Sequence, residues 1–298
     1  MKYTRESTGM SILPFIKTPD RFAGWFEDIK DATMKETFFK ERAFMVERQL
    51  CPCGSGLKHE DCCPDIAKQS VLAELYLKLK MLDDALLEAQ KAQNVQSICQ
   101  AGCNYCCSDY FYISMPEYFL LKHRLKKIGL FDSVRKSGTE QYKKLSVDFP
   151  AEFRRLERKE CSIDSIWDDK KYLSRFQLCP VNLDGTCAAY AERSTICRFY
   201  GTVFAPQSFC PKILSKSRIL FKKAYSRKKL QKMCVSFQYD KNLLMENLDC
   251  FRIGNQHVYV RPYPLIYWLA KDAEYIPLYQ SALTQTPQNF ARFVQMNT

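Results

Sequence analysis

Twelve of this chain's fifteen cysteines fall at spacings that suit metal ligation. Four of them crowd into thirteen residues, Cys51-Pro52-Cys53-Gly54-Ser55-Gly56-Leu57-Lys58-His59-Glu60-Asp61-Cys62-Cys63. Two thiols lie one residue apart, a Gly-Ser-Gly turn brings the chain back, and two adjacent thiols close the set. Zinc takes four soft ligands in a tetrahedron and imposes no geometry of its own, so such a loop suits it. Gly54 and Gly56 can take the positive φ that a tight return around an ion demands. Cys51, Cys53, Cys62 and Cys63 are the first candidate ligand set; His59, inside the loop, is a less well placed substitute.

This segment resembles the SEC-C motif, a small zinc knuckle found also at the C-terminal tail of the preprotein-translocase ATPase. The resemblance covers the thirteen residues and keeps the motif's spacing. It implies Cys51, Cys53 and Cys62 as ligands, with Cys63 where the family places Cys or His. Glu60 and Asp61 stand at positions that are commonly basic in the family, so the metal carries over better than any partner-binding surface.

A second thiol set is split. Cys99, Cys103, Cys106 and Cys107 lie within nine residues. Far downstream come Cys179-Pro180, Asp184-Gly185-Thr186-Cys187, Tyr190, Arg193, Cys197-Arg198 and Cys210-Pro211. Two distant loops that each bring part of a coordination shell are stapled together by the metal, as by a long-range crosslink. Eight thiolates suit two zinc sites, one [4Fe–4S] cluster with ligands to spare, or two clusters. All-sulfur sites select zinc, copper(I) or iron–sulfur and exclude only the hard cations. Tyr105, Tyr110, Phe111 and Tyr112 beside the first loop read as core residues or as a shield for a cluster.

The split set resembles the YkgJ-type cysteine-cluster family, a zinc- or iron-chelating domain, over about residues 99–211. The resemblance implies Cys103, Cys106, Cys107, Cys179, Cys187, Cys197 and Cys210 as ligands, with Cys99 one residue upstream of the commonest spacing. Ser194 and Lys212 replace a usual proline and a frequent glycine without touching a ligand. The family includes FliB-type flagellin lysine methylases. Cys99, Cys103 and Cys106 also have the spacing of the radical-SAM signature, in which three thiolates hold a [4Fe–4S] cluster and leave one iron for S-adenosylmethionine. That signature follows the first strand of a βα barrel, whereas here it follows a helical stretch and no βα repeat is visible.

The elements that must position these thiols read as mainly α. Thr18-Pro19-Asp20 marks a helix start, and Phe22, Trp25, Phe26 and Ile29 keep helical spacing toward Leu50. Val71, Leu72, Leu75 and Leu79, then Leu82, Leu86 and Ala89, suggest a helical pair ending near Ile98. Met115-Pro116-Glu117 restarts a helix carrying Tyr118, Leu121 and Leu125, and charged helical segments continue through Glu160. Leu178 to Cys210 holds turns and cysteines, Ile213 to Met233 reads as helix, His257 to Val260 as a short strand, and Pro264 to Leu269 and Pro287 to Met296 as closing helices. The expected architecture is an irregular, metal-stapled cysteine-rich core with helices on both sides and few short strands. Its expected segments are an N-terminal helical stretch (1–50), the knuckle (51–64), the cysteine-cluster domain (65–212) and a C-terminal helical region (213–298).

Composition narrows the function. No run of about twenty apolar residues is present, which excludes a membrane-spanning helix, and the N-terminal residues lack the apolar stretch of a signal peptide. Fifteen cysteines without such an address, two pairs of them adjacent, point to a reducing cytoplasm. The formal charge of +12 counts every cysteine as neutral; a zinc ion with four thiolates carries roughly −2, so a loaded chain is only mildly basic. The basic stretch 212–232, with Phe221 and Tyr225, has the composition that RNA or single-stranded nucleic acid would select. A solvated helix face is its plainer account. His123, in the run Lys122-His123-Arg124, reads as solvated, and His257 has no obvious acid or nucleophile partner. Cys161, Cys234 and Cys250 fit no motif and read as buried thiols. No glycine-rich phosphate loop, dinucleotide fingerprint or HExxH is present. The reading is a cytoplasmic zinc protein with a second zinc or iron–sulfur centre, a binding or adaptor role and a protein partner. The alternative is a cluster-dependent, S-adenosylmethionine-using methyltransferase acting on protein lysine.

Overall fold

A computed structural model describes residues 50–92, 104, 107, 110–159, 178–199, 250–253, 256–259 and 263–297. All of them belong to the second of the chain's two units, Phe44–Thr298. The expected helix at 18–50, apart from Leu50 itself, and that at 213–233, together with Cys161 and Cys234, lie outside the described residues. The described part is mainly helical, with a few two-stranded sheets.

After the knuckle, whose last turn is the short helix α1 (His59–Cys62), comes α2 (Val71–Ala92). Ser70 caps α2, its Oγ accepting from Ala73 N at 3.2 Å. The expected helical pair is here one helix of 22 residues. Only Lys80 and Met81 lie between Leu79 and Leu82, both good helix formers, so no glycine or proline breaks it there. Val71, Leu72, Leu75, Leu79 and Leu82 form its buried stripe.

Strand β1 (Tyr112–Ile113) leads into α3 (Met115–Lys127), followed by α4 (Phe131–Asp148) and α5 (Pro150–Glu157). α3 starts with a full capping box: Glu117 N donates to Ser114 Oγ, and Ser114 N donates back to Glu117 Oε2 at 2.9 Å. Strands β2 (Asn182–Leu183) and β3 (Thr186–Cys187) form a hairpin, followed by α6 (Thr195–Phe199). β4 (Cys250–Ile253) pairs antiparallel with β5 (Gln256–Tyr259), in the register Cys250↔Tyr259 to Ile253↔Gln256. β5 falls on the expected strand; β4 is the partner that periodicity did not reveal. β6 (Tyr263–Pro264) pairs with β1, Ile113 opposite Tyr263. The chain then runs through α7 (Leu265–Ala270), a 3-10 turn (Asp272–Tyr275), α8 (Ile276–Thr284) and α9 (Pro287–Asn297).

The core is aromatic. Trp268 stacks on Tyr118 (5.9 Å between centroids) and meets Tyr275, Tyr263 and Tyr267 edge-on. Its Nε1 donates to Ile113 O at 3.0 Å, which ties α7 to the β1–β6 sheet. Val134, Gly138, Tyr142 and Leu145 make the buried face of α4. A Cβ on Gly138 would sit 2.4 Å from Leu269 Cδ1, so the missing side chain is what lets α4 and α7 close on each other. Among the described residues no helix is long and apolar enough to cross a membrane.

Candidate metal centre

The knuckle is a reversal held by its own backbone. Cys51 N donates to Leu57 O (2.8 Å) and Gly54 N to Cys51 O (3.1 Å), and an antiparallel bridge joins Leu50 to Lys58. Gly54 and Gly56 have φ of 78° and 75°, a region that a side chain would strain. α1 then carries Cys62 back, its N–H bonded to Lys58 O (3.1 Å), and Cys63 N closes on His59 O (2.9 Å).

The result is a compact thiol set. The Sγ atoms of Cys51, Cys53, Cys62 and Cys63 all lie within 4.8 Å of one another. Cys53 and Cys62 are 3.4 Å apart, Cys62 and Cys63 3.8 Å. Zn–S bonds of about 2.3 Å in a tetrahedron put sulfurs about 3.8 Å apart, so the set already has the size of a zinc shell. Cys51, Cys62 and Cys63 are buried and Cys53 is half-buried. Sharing of protons among neighbouring sulfurs splits their acidities. Hydrogen bonds from Cys51 and Cys63 hold Cys53 far below the usual thiol range, while the bond to Cys53 pushes Cys51 up to about 12. Hydrogen bonding to Cys51 and Cys53 pushes Cys63 higher still. One thiolate forms readily and further ionisation is opposed, the situation a bound dication relieves.

Residues 48–63 match the SEC-C motif. No curated protein and no solved structure matches the chain, and the comparisons give no support to the cysteine-cluster or lysine-methylase resemblance over 99–211. The SEC-C match and the sulfur geometry together give a four-cysteine cluster suited to a metal.

Around the SEC-C thiols, three side chains that sequence reasoning passed over or misplaced fix the knuckle to the body. Lys127, in the last turn of α3, donates from Nζ to Cys62 O (2.5 Å) and faces Cys62 Sγ at 3.3 Å and Cys63 Sγ at 3.7 Å. Partial burial opposes its charge. The bond to Cys62 and the charges of Cys63, Cys62 and Cys53 outweigh that, so its pKa lies above the usual lysine value. His59 is buried and its Nε2 lies 2.6 Å from Ile66 O, so it serves the loop after the knuckle rather than joining the four-sulfur set. His123 is buried, not solvated, with Nε2 3.2 Å from Asp65. Asp65 lies 58 residues away, a distance at which sequence gives no pairing signal.

The second candidate set is described in part. Cys99, Cys103, Cys106 and Cys210 lie outside the described residues, as do Tyr105 and the basic stretch 212–232. Cys107, Cys179, Cys187 and Cys197 are brought together: Cys179 N donates to Cys107 O (2.7 Å), and Asp184-Gly185 turns the chain so that β3 delivers Cys187. Both turn residues have positive φ, 51° and 81°, as a two-residue hairpin loop requires. Cys179, Cys187 and Cys197 line a cavity of about 70 Å³ with Tyr110 and Phe111, and the buried Tyr110 hydroxyl has no hydrogen-bond partner among the described residues. Burial pushes all three thiols up, Cys197 to about 12, and nearby thiols add to the effect. Among the described residues only the knuckle has three or more ligand atoms within 4.8 Å of one another.

The residues quoted around Cys197 hold its loop. Arg198 is buried; its Nη1 donates to Asp83 on α2, Nη2 to Ala191 O, and Nε to Arg193 O at 3.0 Å. Arg193 lies over the Tyr190 ring, 4.1 Å from its centre. Glu117 Oε1 accepts from Thr195 N at 2.6 Å, so the α3 cap also anchors α6.

Proposed function

We propose that this chain is a metal-stapled binding protein of the adaptor kind. Zinc closes the SEC-C knuckle through Cys51, Cys53, Cys62 and Cys63. A second centre, built on Cys107, Cys179, Cys187 and Cys197 with Cys99, Cys103, Cys106 and Cys210, holds zinc or a [4Fe–4S] cluster, in line with the resemblance to the cysteine-cluster family. The observation that carries the reading is the mutual approach of four sulfurs at zinc-shell size. A shell of four protein thiolates leaves no position for a substrate, which makes the knuckle structural. Its sulfurs face inward, while Leu57, Lys58, Glu60 and Asp61 are exposed and form the edge a protein partner would meet.

For the second centre, the support is chemical. Three thiols around a small cavity, raised by burial, gain from a soft metal that takes them as thiolates. The test is metal and acid-labile sulfide content, with a visible spectrum, on full-length protein purified without oxygen. The reading expects about one zinc that is lost in Cys63→Ser, plus either further zinc or iron with sulfide that is lost in Cys187→Ser. Zinc content unchanged by Cys63→Ser would overturn the knuckle assignment; metal content unchanged by Cys187→Ser would overturn the second centre.

A further inference from the structure

A cavity of about 470 Å³ opens between the end of α3, the start of α4 and the first turns leading into α8. Lys122, Lys126, Arg135, Phe131, Tyr279 and Asp272 are among its lining residues, and no thiol is. Its volume falls in the range of small-molecule sites, about 300–1,000 Å³.

The charge of this cavity is out of balance. Lys122, itself buried, places Nζ 2.5 Å from Asp272 Oδ1, which also accepts the Tyr118 hydroxyl at 2.6 Å. That ammonium and that carboxylate offset each other. Lys126 Nζ, however, lies 5.8 Å from the centre of the Phe131 ring and 5.2 Å from that of Tyr279. Lys122 Nζ faces the same two rings at 5.2 and 4.6 Å. Two ammonium groups therefore share one pair of rings, with one buried carboxylate to serve both. Arg135 is a third cation. Its partner Asp132, at 3.6 Å, is almost fully exposed, and such a pair holds too weakly to fix the guanidinium.

Backbone dipoles add the same sign. α4 and α8 enter the lining through their first residues, Phe131, Asp132 and Ile276, and neither helix has a side-chain cap on its N-terminal N–H groups. The crowding is felt by Lys122: burial lowers its pKa first, and Lys126 and Arg135 lower it further against the pull of Asp272.

We propose that this cavity binds a small phosphorylated molecule, its phosphate set between Lys126, Arg135 and the first turn of α4. Three cations, Lys122, Lys126 and Arg135, face two lining carboxylates, Asp272 and the almost fully exposed Asp132, which offsets Arg135 only weakly. A phosphate meets the remaining excess of positive charge, and its several acceptor oxygens serve the Lys126 ammonium, the guanidinium fork and the first-turn N–H groups together. Lys122 stays paired with Asp272 and forms the charged floor.

The test is calorimetry of the full chain with inorganic phosphate and with pyrophosphate at constant ionic strength. Lys126→Ala, Arg135→Ala and the double variant are compared with the parent; both side chains are exposed, so the fold survives their loss. Saturable binding at one site is expected, about tenfold weaker in each single variant and lost in the double. Amide shifts on titration should centre on Asp132 and Ser133. Absence of saturable binding would overturn the proposal. So would binding that the double variant retains, which would place the anion elsewhere on this basic chain.

Discussion

Replacing Lys127 with methionine tests the knuckle most sharply, because it changes the charge beside the sulfurs and leaves every ligand in place. Lys127 Nζ touches Cys62 twice, at 2.5 Å on the carbonyl and 3.3 Å on Sγ, and lies 3.7 Å from Cys63 Sγ. A zinc tetrathiolate carries a net charge of roughly −2 in a half-buried setting, so a cation at hydrogen-bond range offsets part of a standing cost. Hydrogen bonds to charged groups contribute about 1.5–3 kcal/mol, and the exposed position of Lys127 screens part of that. About 1–2 kcal/mol remains, a five- to thirtyfold loss of zinc affinity. Outer-shell partners of metal ligands elsewhere cost about 10–100-fold, so the figure sits at the lower end of that range. Competition against a chromophoric chelator reads it directly, with Lys127→Arg as the variant that keeps the charge. Zinc stoichiometry should be unchanged in both, and the deficit of the methionine variant should shrink as salt rises. Zinc affinity within twofold of the parent would refute the argument, since the two sulfur contacts would then carry no energy.

The packing sets three further outcomes. Cys63→Ser should lose zinc and lower the thermal midpoint, because Cys63 closes α1 on His59 O and its carbonyl accepts from Ile66 N at the start of the turn before α2; calorimetric melting with and without added zinc checks this. Gly138→Ala should destabilise by about 1–3 kcal/mol despite the better helix propensity of alanine, because its Cβ would meet Leu269 at 2.4 Å; denaturant unfolding reads the sign. Asp272→Ala should cost about 3–5 kcal/mol by leaving Lys122 buried without its carboxylate, and Lys122→Met combined with Asp272→Leu should recover most of that, both read by denaturant unfolding.

Local patterns were legible in the sequence and long-range partners were not. The knuckle is read from four residues and a turn because all its ligands lie within thirteen positions. The same holds for α3, announced by Pro116, and for β5. The helix α8 escaped notice because it is only nine residues long and buries Ser281 while exposing Ile276, so apolar spacing alone does not mark its buried face. Ser114-Met115-Pro116-Glu117 carries the capping-box pattern openly, yet nothing local says that the same glutamate also receives Thr195 N. His123 misreads as solvated, and Lys122 beside it gives no local sign of its burial, for one reason. Their carboxylates, Asp272 and Asp65, come from 150 and 58 residues away. A charged side chain looks like surface until its partner is known.

These partners converge on one helix. At its N-terminal end, α3 receives the loop of the second thiol set through Glu117 and Thr195 N; in its last turn Arg124 lies 3.7 Å from Glu192 of the same loop. At its C-terminal end it meets the knuckle through Lys127 and, one turn earlier, steadies the following loop through His123 and Asp65. Thirteen residues at about 1.5 Å each set the two attachment points less than about 20 Å apart. The helix between them is anchored by Phe119 and Leu120, both wholly buried, so it acts as a strut and not as a hinge. The two ends use opposite charges, each matched to its end of the helix dipole: a carboxylate where the N–H groups are free, an ammonium where the carbonyls are. A helix built this way holds both cysteine loops in register from the protein side. Metal at the knuckle then has a short task, drawing four sulfurs together that the backbone has already placed within 4.8 Å.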